Sequence, residues 1–262
     1  MSTPLRSPTA SVTRTSITSS LIVELRRLTR SGLGLGVLMA FAFFGLSSPV
    51  LAIYMPEILG AAASGDQLTI AASQATPADA ISLFNQSAMQ LGLIVTVAVA
   101  ITSIGWDTRP GSSIFYRTRA RRLSTVLLPR LIVDWLIALV TYSCGLLLAV
   151  VVTASAIGHP PAGVVVRTWV ACGLYIVMAM SIGHLLAASL RRTTTAIALT
   201  TLLVLVLPVM NQVPGTSRWA PTALLLPAGL HAMPVVAALV VTGLCAVGSV
   251  LIARRQMLRR DA

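Results

Sequence analysis

The sequence predicts an all-α integral membrane protein that crosses the bilayer six times and keeps both ends in the cytoplasm. Three observations predict it. Charged residues make up 10% of the chain and hydrophobic residues 56%, whereas a soluble domain carries about a quarter charged residues. A lipid-facing surface accounts for the deficit, because a bilayer requires no polar exterior. Six apolar runs reach the roughly 20 residues that cross about 30 Å of hydrocarbon. Finally, all nineteen basic residues are Arg, and most cluster at the margins of those runs.

Residues 1–20 are rich in Ser, Thr, Pro and Arg and hold no acid, the composition of a disordered cytoplasmic leader. It shares features with organellar transit peptides, but the first apolar run is too long for a secretory signal, so no cleavage is expected there. All-Arg usage fits a GC-rich bacterial genome. In 21–30, Leu21, Ile22, Leu25 and Leu28 recur at helical spacing, with Glu24, Arg27 and Arg30 on another face. That pattern gives an N-terminal amphipathic helix at the membrane surface or a cytoplasmic extension of the first span. The spans are expected near 33–55, 88–106, 131–157, 166–188, 195–211 and 233–253, within one transmembrane domain covering 21–262. Gly32 and Gly36 have a spacing that permits close helix approach.

Two connections exceed a tight turn. The external loop 56–87 carries Glu57, Asp66 and Asp79, and no chemistry follows from it. Segment 107–130 contains Phe115, Tyr116, Arg117, Arg119, Arg121 and Arg122 among apolar residues, the pattern of a short surface helix available to a partner. Between the last two spans, Pro214, Pro221 and Pro227 surround the apolar stretch 222–226, too short to cross. Such a stretch is either a re-entrant hairpin or an external loop lying on the bilayer.

The net charge of +12 would suit nucleic acid if it formed one basic face. Leaving aside Arg6 and Arg14, fifteen Arg fall on one side of the six spans and two, Arg167 and Arg218, on the other. This is the asymmetry that retains basic loops in the cytoplasm, and no nucleic-acid partner is expected.

Catalytic and metal signatures are missing. Cys144, Cys172 and Cys245 each sit in an apolar run without metal-site spacing, and His159, His184 and His231 are far apart in sequence. Gly111-Ser112-Ser113 lies in the basic loop, away from any setting for an intramembrane serine nucleophile. The phosphate loop of an ATPase needs a Lys to reach the terminal phosphates. The chain contains no Lys, so ATP would have to be hydrolysed on another polypeptide. Asp134 lies four residues after Arg130, where a helix would pair the two at the interface; a proton relay is the alternative use of such an acid. His184 reads as a packing residue. The hydroxyls of Thr193, Thr194, Thr195, Thr200 and Thr201 enrich the start of span five, although Thr also bonds its own helix backbone.

This layout resembles the permease subunit of type-2 ABC exporters, a six-span family whose members dimerise and bind separate cytoplasmic ATPases. The likeness covers most of the chain: the amphipathic helix before span one, the segment Asp107-Thr108-Arg109-Pro110-Gly111-Ser112 with the later Leu127-Leu128-Pro129-Arg130, and Trp219-Ala220-Pro221 between spans five and six. Asp107 stands where the family has Glu. The resemblance implies ATPase coupling through Asp107, Arg109, Gly111, Phe115, Tyr116, Arg117 and Arg119, and an external re-entrant segment around Trp219 and Pro221. It also implies partner ATPases carrying ATP and Mg, a second permease subunit, lipid contact, residence in the inner (plasma) membrane, and no catalytic residue, cofactor or metal on this chain. Two readings compete with it: an ATP-independent carrier or channel, and an accessory protein that only docks a partner.

Overall fold

A computed structural model of the chain describes residues 17–63, 75–104, 124–190, 192–213, 219–226 and 230–258, and every regular element among them is helical. The α-helices are α1 (Ile17–Arg30), α2 (Leu33–Ala63), α3 (Pro77–Ser87), α4 (Leu93–Ile104), α5 (Ser124–Ala156), α6 (Ala162–Ser189), α7 (Thr193–Val206) and α8 (Ala232–Leu258). A π turn, Ala88–Gly92, joins α3 to α4, and two 3-10 segments, Leu207–Gln212 and Pro221–Leu225, lie between α7 and α8.

Six stretches are long and apolar enough to cross a membrane: Leu33–Met55, Pro77–Ser103, Leu127–Ala156, Ala162–Ser189, Thr193–Gln212 and Ala232–Ile252. The chain is thus built as a multi-pass membrane protein. The second differs most from expectation, starting eleven residues before position 88. Hydropathy hides that start because Asp79, Ser82, Asn85, Gln86 and Ser87 dilute the apolar signal. The start is fixed by local chemistry: Thr76 and Asp79 form a capping box, with Pro77 at the first helical position. Ala80, Ile81 and Phe84 then bury one face of α3. Together with the continuation of α2 to Ala63, this makes much of the expected loop 56–87 helical. Likewise α5 takes in the last residues of the expected cytoplasmic segment, carrying Pro129 inside it, and α1 begins at Ile17.

Between α1 and α2 the chain reverses at Gly32, whose φ of 71° is open to glycine at little cost. A side chain at Gly36 would meet nothing within 4 Å, so the Gly32/Gly36 spacing packs no helix pair among the described residues. The close approach occurs elsewhere. A Cβ on Gly145 of α5 would sit 2.7 Å from the carbonyl oxygen of Phe41 on α2, and one on Gly45 would collide with the Gly145 carbonyl. Two glycines therefore let α2 and α5 touch backbone to backbone. In lipid, where apolar surface gains nothing by leaving its solvent, such packing holds helices together.

Phe41 also joins the aromatic core. Its ring meets Tyr142 edge-on at 5.8 Å, and Phe84 stacks on Tyr142 at 5.9 Å. Helices α2, α3 and α5 are pinned by these contacts, each pair contributing about 0.5–1.5 kcal/mol. The most enclosed helix is α6, with 67% of its apolar window buried against 17% in the fifth and sixth spans. It packs on α5, α4, α7 and α8.

Candidate functional site

Two polar features interrupt this apolar bundle. The first is a buried ionic cluster at one end. Arg130 and Asp134 on α5, Ser103 near the end of α4 and His184 on α6 are each at most 5% exposed. The Glu24 carboxylate on α1 sits 2.7 Å from Arg130 Nε and accepts a hydrogen bond from Arg27 Nη1 at 2.8 Å. Arg27 Nη2 donates to the Ser103 carbonyl at 3.0 Å, satisfying one of the carbonyls that the end of α4 leaves open. Asp134 Oδ2 lies 3.0 Å from His184 Nε2 and accepts from Ser103 Oγ at 3.1 Å.

The expected Arg130–Asp134 pairing is thus replaced by cross-helix partners, Glu24 for Arg130 and the α4 and α6 side chains for Asp134. The reason is rotational: neighbouring helices present complementary groups at closer range than a solvent-facing pair along one helix. His184, expected to pack, is a polar partner. No single-helix pattern marks these contacts, since their members are 31 to 106 positions apart; an acid and a His inside separate apolar runs were the available signal.

The second feature is a cavity of about 670 Å³ in the other half of the bundle. One wall comes from α3, the π turn and the start of α6, and bears Asp79, Ser82, Asn85, Gln86, Gln90, Arg167 and Thr168. The facing wall, from the end of α7, the 3-10 segments and Leu230, is apolar among the described residues, with Val204, Leu205, Pro208, Leu224, Leu225 and Leu226. A π turn widens a helix by one residue, and such turns recur at functional sites. Here it aims Met89 and Gln90 at the cavity. Gly92, which closes the turn, has no room for a side chain: a Cβ there would meet Phe41 Cε1 at 2.8 Å.

Several wall groups are fixed by other contacts. Tyr142 donates to Asn85 Oδ1 at 2.9 Å, which leaves the Asn85 amide nitrogen to offer. Asp79 Oδ2 is engaged by the Thr76 backbone N–H at 3.0 Å and by Thr76 Oγ1 at 2.6 Å. Tyr175 donates to the Val204 carbonyl at 3.3 Å, closing the floor between α6 and α7. The apolar wall is held in turn by Thr222, whose hydroxyl donates to Asn211 Oδ1 at 2.8 Å and so joins the two 3-10 segments.

Of the residues singled out by sequence, Asp107, Arg109, Gly111, Phe115, Tyr116, Arg117 and Arg119 lie outside the described residues. Trp219 is 60% exposed, while Pro221 starts the 3-10 segment whose Thr222, Ala223 and Leu224 are buried against the bundle. Pro214 and Pro227 lie outside the described residues. Thr200 bonds its own helix at Ala196, as expected of a membrane Thr. No group of three His, Cys, Asp or Glu able to hold a metal occurs among the described residues. No protein-family profile matches the chain, and no curated protein matches it.

Proposed function

We propose that this chain is the membrane-spanning permease subunit of an ATP-driven exporter, enclosing part of the substrate pathway and working with separate ATPase subunits. The observation that carries this reading is the cavity: a chamber of about 670 Å³ within a six-span bundle, in the range of sites for drug-sized molecules, supports a substrate pathway through the chain. The absence of Lys moves ATP hydrolysis, with its Mg, to a partner chain. The ionic cluster supports the coupling part. Ser103 and Arg130 bracket the segment containing 107–122, so a push delivered there would pass through the cluster to α1, α4, α5 and α6.

In this reading the fifteen-Arg side faces the cytoplasm, both ends lie there, and the membrane is the bacterial plasma membrane. The 3-10 segments form an external re-entrant hairpin that roofs the cavity, and a second permease subunit completes the pathway. The test is to purify the chain with its candidate ATPase and replace Phe115, Tyr116, Arg117 and Arg119. Loss of assembly or of substrate-stimulated ATP hydrolysis is expected; both persisting unchanged would sink the coupling assignment.

A second reading is favoured by one observation, the Asp134–His184 contact buried in the bundle. Buried ionisable pairs within spans mark proton pathways in carriers. Vanadate-insensitive, proton-gradient-driven transport by the isolated chain would select it over the ATP-driven reading.

A further inference from the structure

The two walls of the cavity differ in kind. Among the described residues, every charged, amide and hydroxyl side chain lining it, apart from the Tyr175 hydroxyl already bonded to Val204, stands on the wall made by α3, the π turn and the start of α6, and the facing wall carries only apolar side chains. A molecule that fills it must therefore be polar along one side or end and apolar along the other. The sign of the polar part follows from which groups are spoken for. Asp79 is the only acid in the lining among the described residues; its carboxylate stays charged but is held by the capping box in the first turn of α3, where the helix dipole offsets it. Among the described residues, Arg167 is the only cation there and has no ion-pair partner. Asn85 gives its oxygen to Tyr142 and has its N–H donors left. The positive end of the α6 dipole lies beside them, with Val164 of the first turn in the lining.

We propose that the cavity binds an anionic amphiphile, its acidic head on Arg167 and Asn85 and its hydrocarbon part along Val204, Leu205, Leu224 and Leu225. This rests on the transport reading and names the substrate class for it. A guanidinium holds carboxylate or phosphate through paired N–H donors, and Arg167 is exposed at the start of α6, where a head group can reach it. A volume of about 670 Å³ is in the range of sites for drug-sized molecules. It suits one acyl chain with a small head better than a two-chain lipid drawn wholly inside.

Binding to the purified full-length chain in phosphatidylcholine nanodiscs tests this with dodecyl phosphate, inorganic phosphate and dodecyl maltoside. Saturable binding of dodecyl phosphate is expected, with at least about tenfold weaker binding of the other two, which lack the tail or the charge. Arg167→Gln should weaken dodecyl phosphate by about tenfold or more, while Arg167→Lys, which keeps the charge but not the paired donors, should weaken it less. Ser82→Trp, at an exposed position on the polar wall, should block the site without altering charge. Equal binding of dodecyl maltoside, or an unchanged affinity in Arg167→Gln, would overturn the proposal. Displacement by phosphatidic acid added to the nanodisc assigns the occupant to the bilayer, and absence of displacement assigns it to a single-chain amphiphile from water; both keep the site anionic and amphipathic. No ATPase is present, so failure here leaves the coupling test untouched, and failure of coupling leaves a bound amphiphile unexplained by export but still bound.

Discussion

At the scale of single residues, the polar contacts inside the bundle depend on pairs that only the folded chain brings together. Removing one member of a buried pair strands the other in a medium that cannot hydrate it. Asp134→Asn and His184→Gln should each lower the thermal midpoint of the detergent-solubilised protein. The double variant should recover part of the loss, with a coupling of about 1 kcal/mol or more; strictly additive losses would show that the 3.0 Å contact contributes nothing. A different residue-scale prediction concerns Gly145. Because a Cβ there would strike the Phe41 carbonyl, Gly145→Val should cost about 1–3 kcal/mol by forcing α2 away from α5. Gly36→Val, with open space around it, should leave the midpoint within error. Both glycines sit in apolar runs and look alike in sequence; what separates them is the rotation of two helices about each other.

At the scale of elements, the start of α3 was readable and the anchoring of α1 was not. Thr76-Pro77-Ala78-Asp79 carries its own signal: a capping side chain, a proline at the first helical position and an acid at the third. Hydropathy alone does not mark it, because Asp79, Ser82, Asn85, Gln86 and Ser87 dilute the apolar signal. By contrast, the amphipathic pattern of α1 says only that one face is apolar, whereas its docking is set by Glu24 and Arg27 reaching Arg130 and Ser103. Glu24→Ala should therefore loosen α1 from the bundle, and faster hydrogen exchange across Ile17–Arg30 with unchanged exchange in α6 would show it. The 3-10 segments make a parallel case. Thr222→Val removes the hydroxyl bond to Asn211, a loss of about 1 kcal/mol. It should raise the labelling rate of a cysteine placed at Leu225, since the apolar cavity wall then opens more often; an unaltered rate would mean the prolines alone hold that wall.

At the scale of the whole molecule, composition and charge placement carried most of the architecture. Fifteen Arg on one side and two on the other predict that cysteines introduced at Arg119 and Arg254 are labelled only from the cytoplasm, and one at Asp66 only from outside. Labelling of positions 119 and 66 from the same side would contradict six spans with both ends inside. The six-span count was determined by the sequence alone, because crossing hydrocarbon demands a length and an apolar content that any window of chain either has or lacks. The same holds for the missing Lys, which no folding can supply. Which helix is central, which glycines let backbones touch, that Asp134 faces His184 rather than Arg130, and that a polar wall confronts an apolar one across a cavity were decided by tertiary structure. Each depends on the rotation and offset of one helix against another, and in lipid those are set by side-chain packing and a few buried polar contacts spread along the chain.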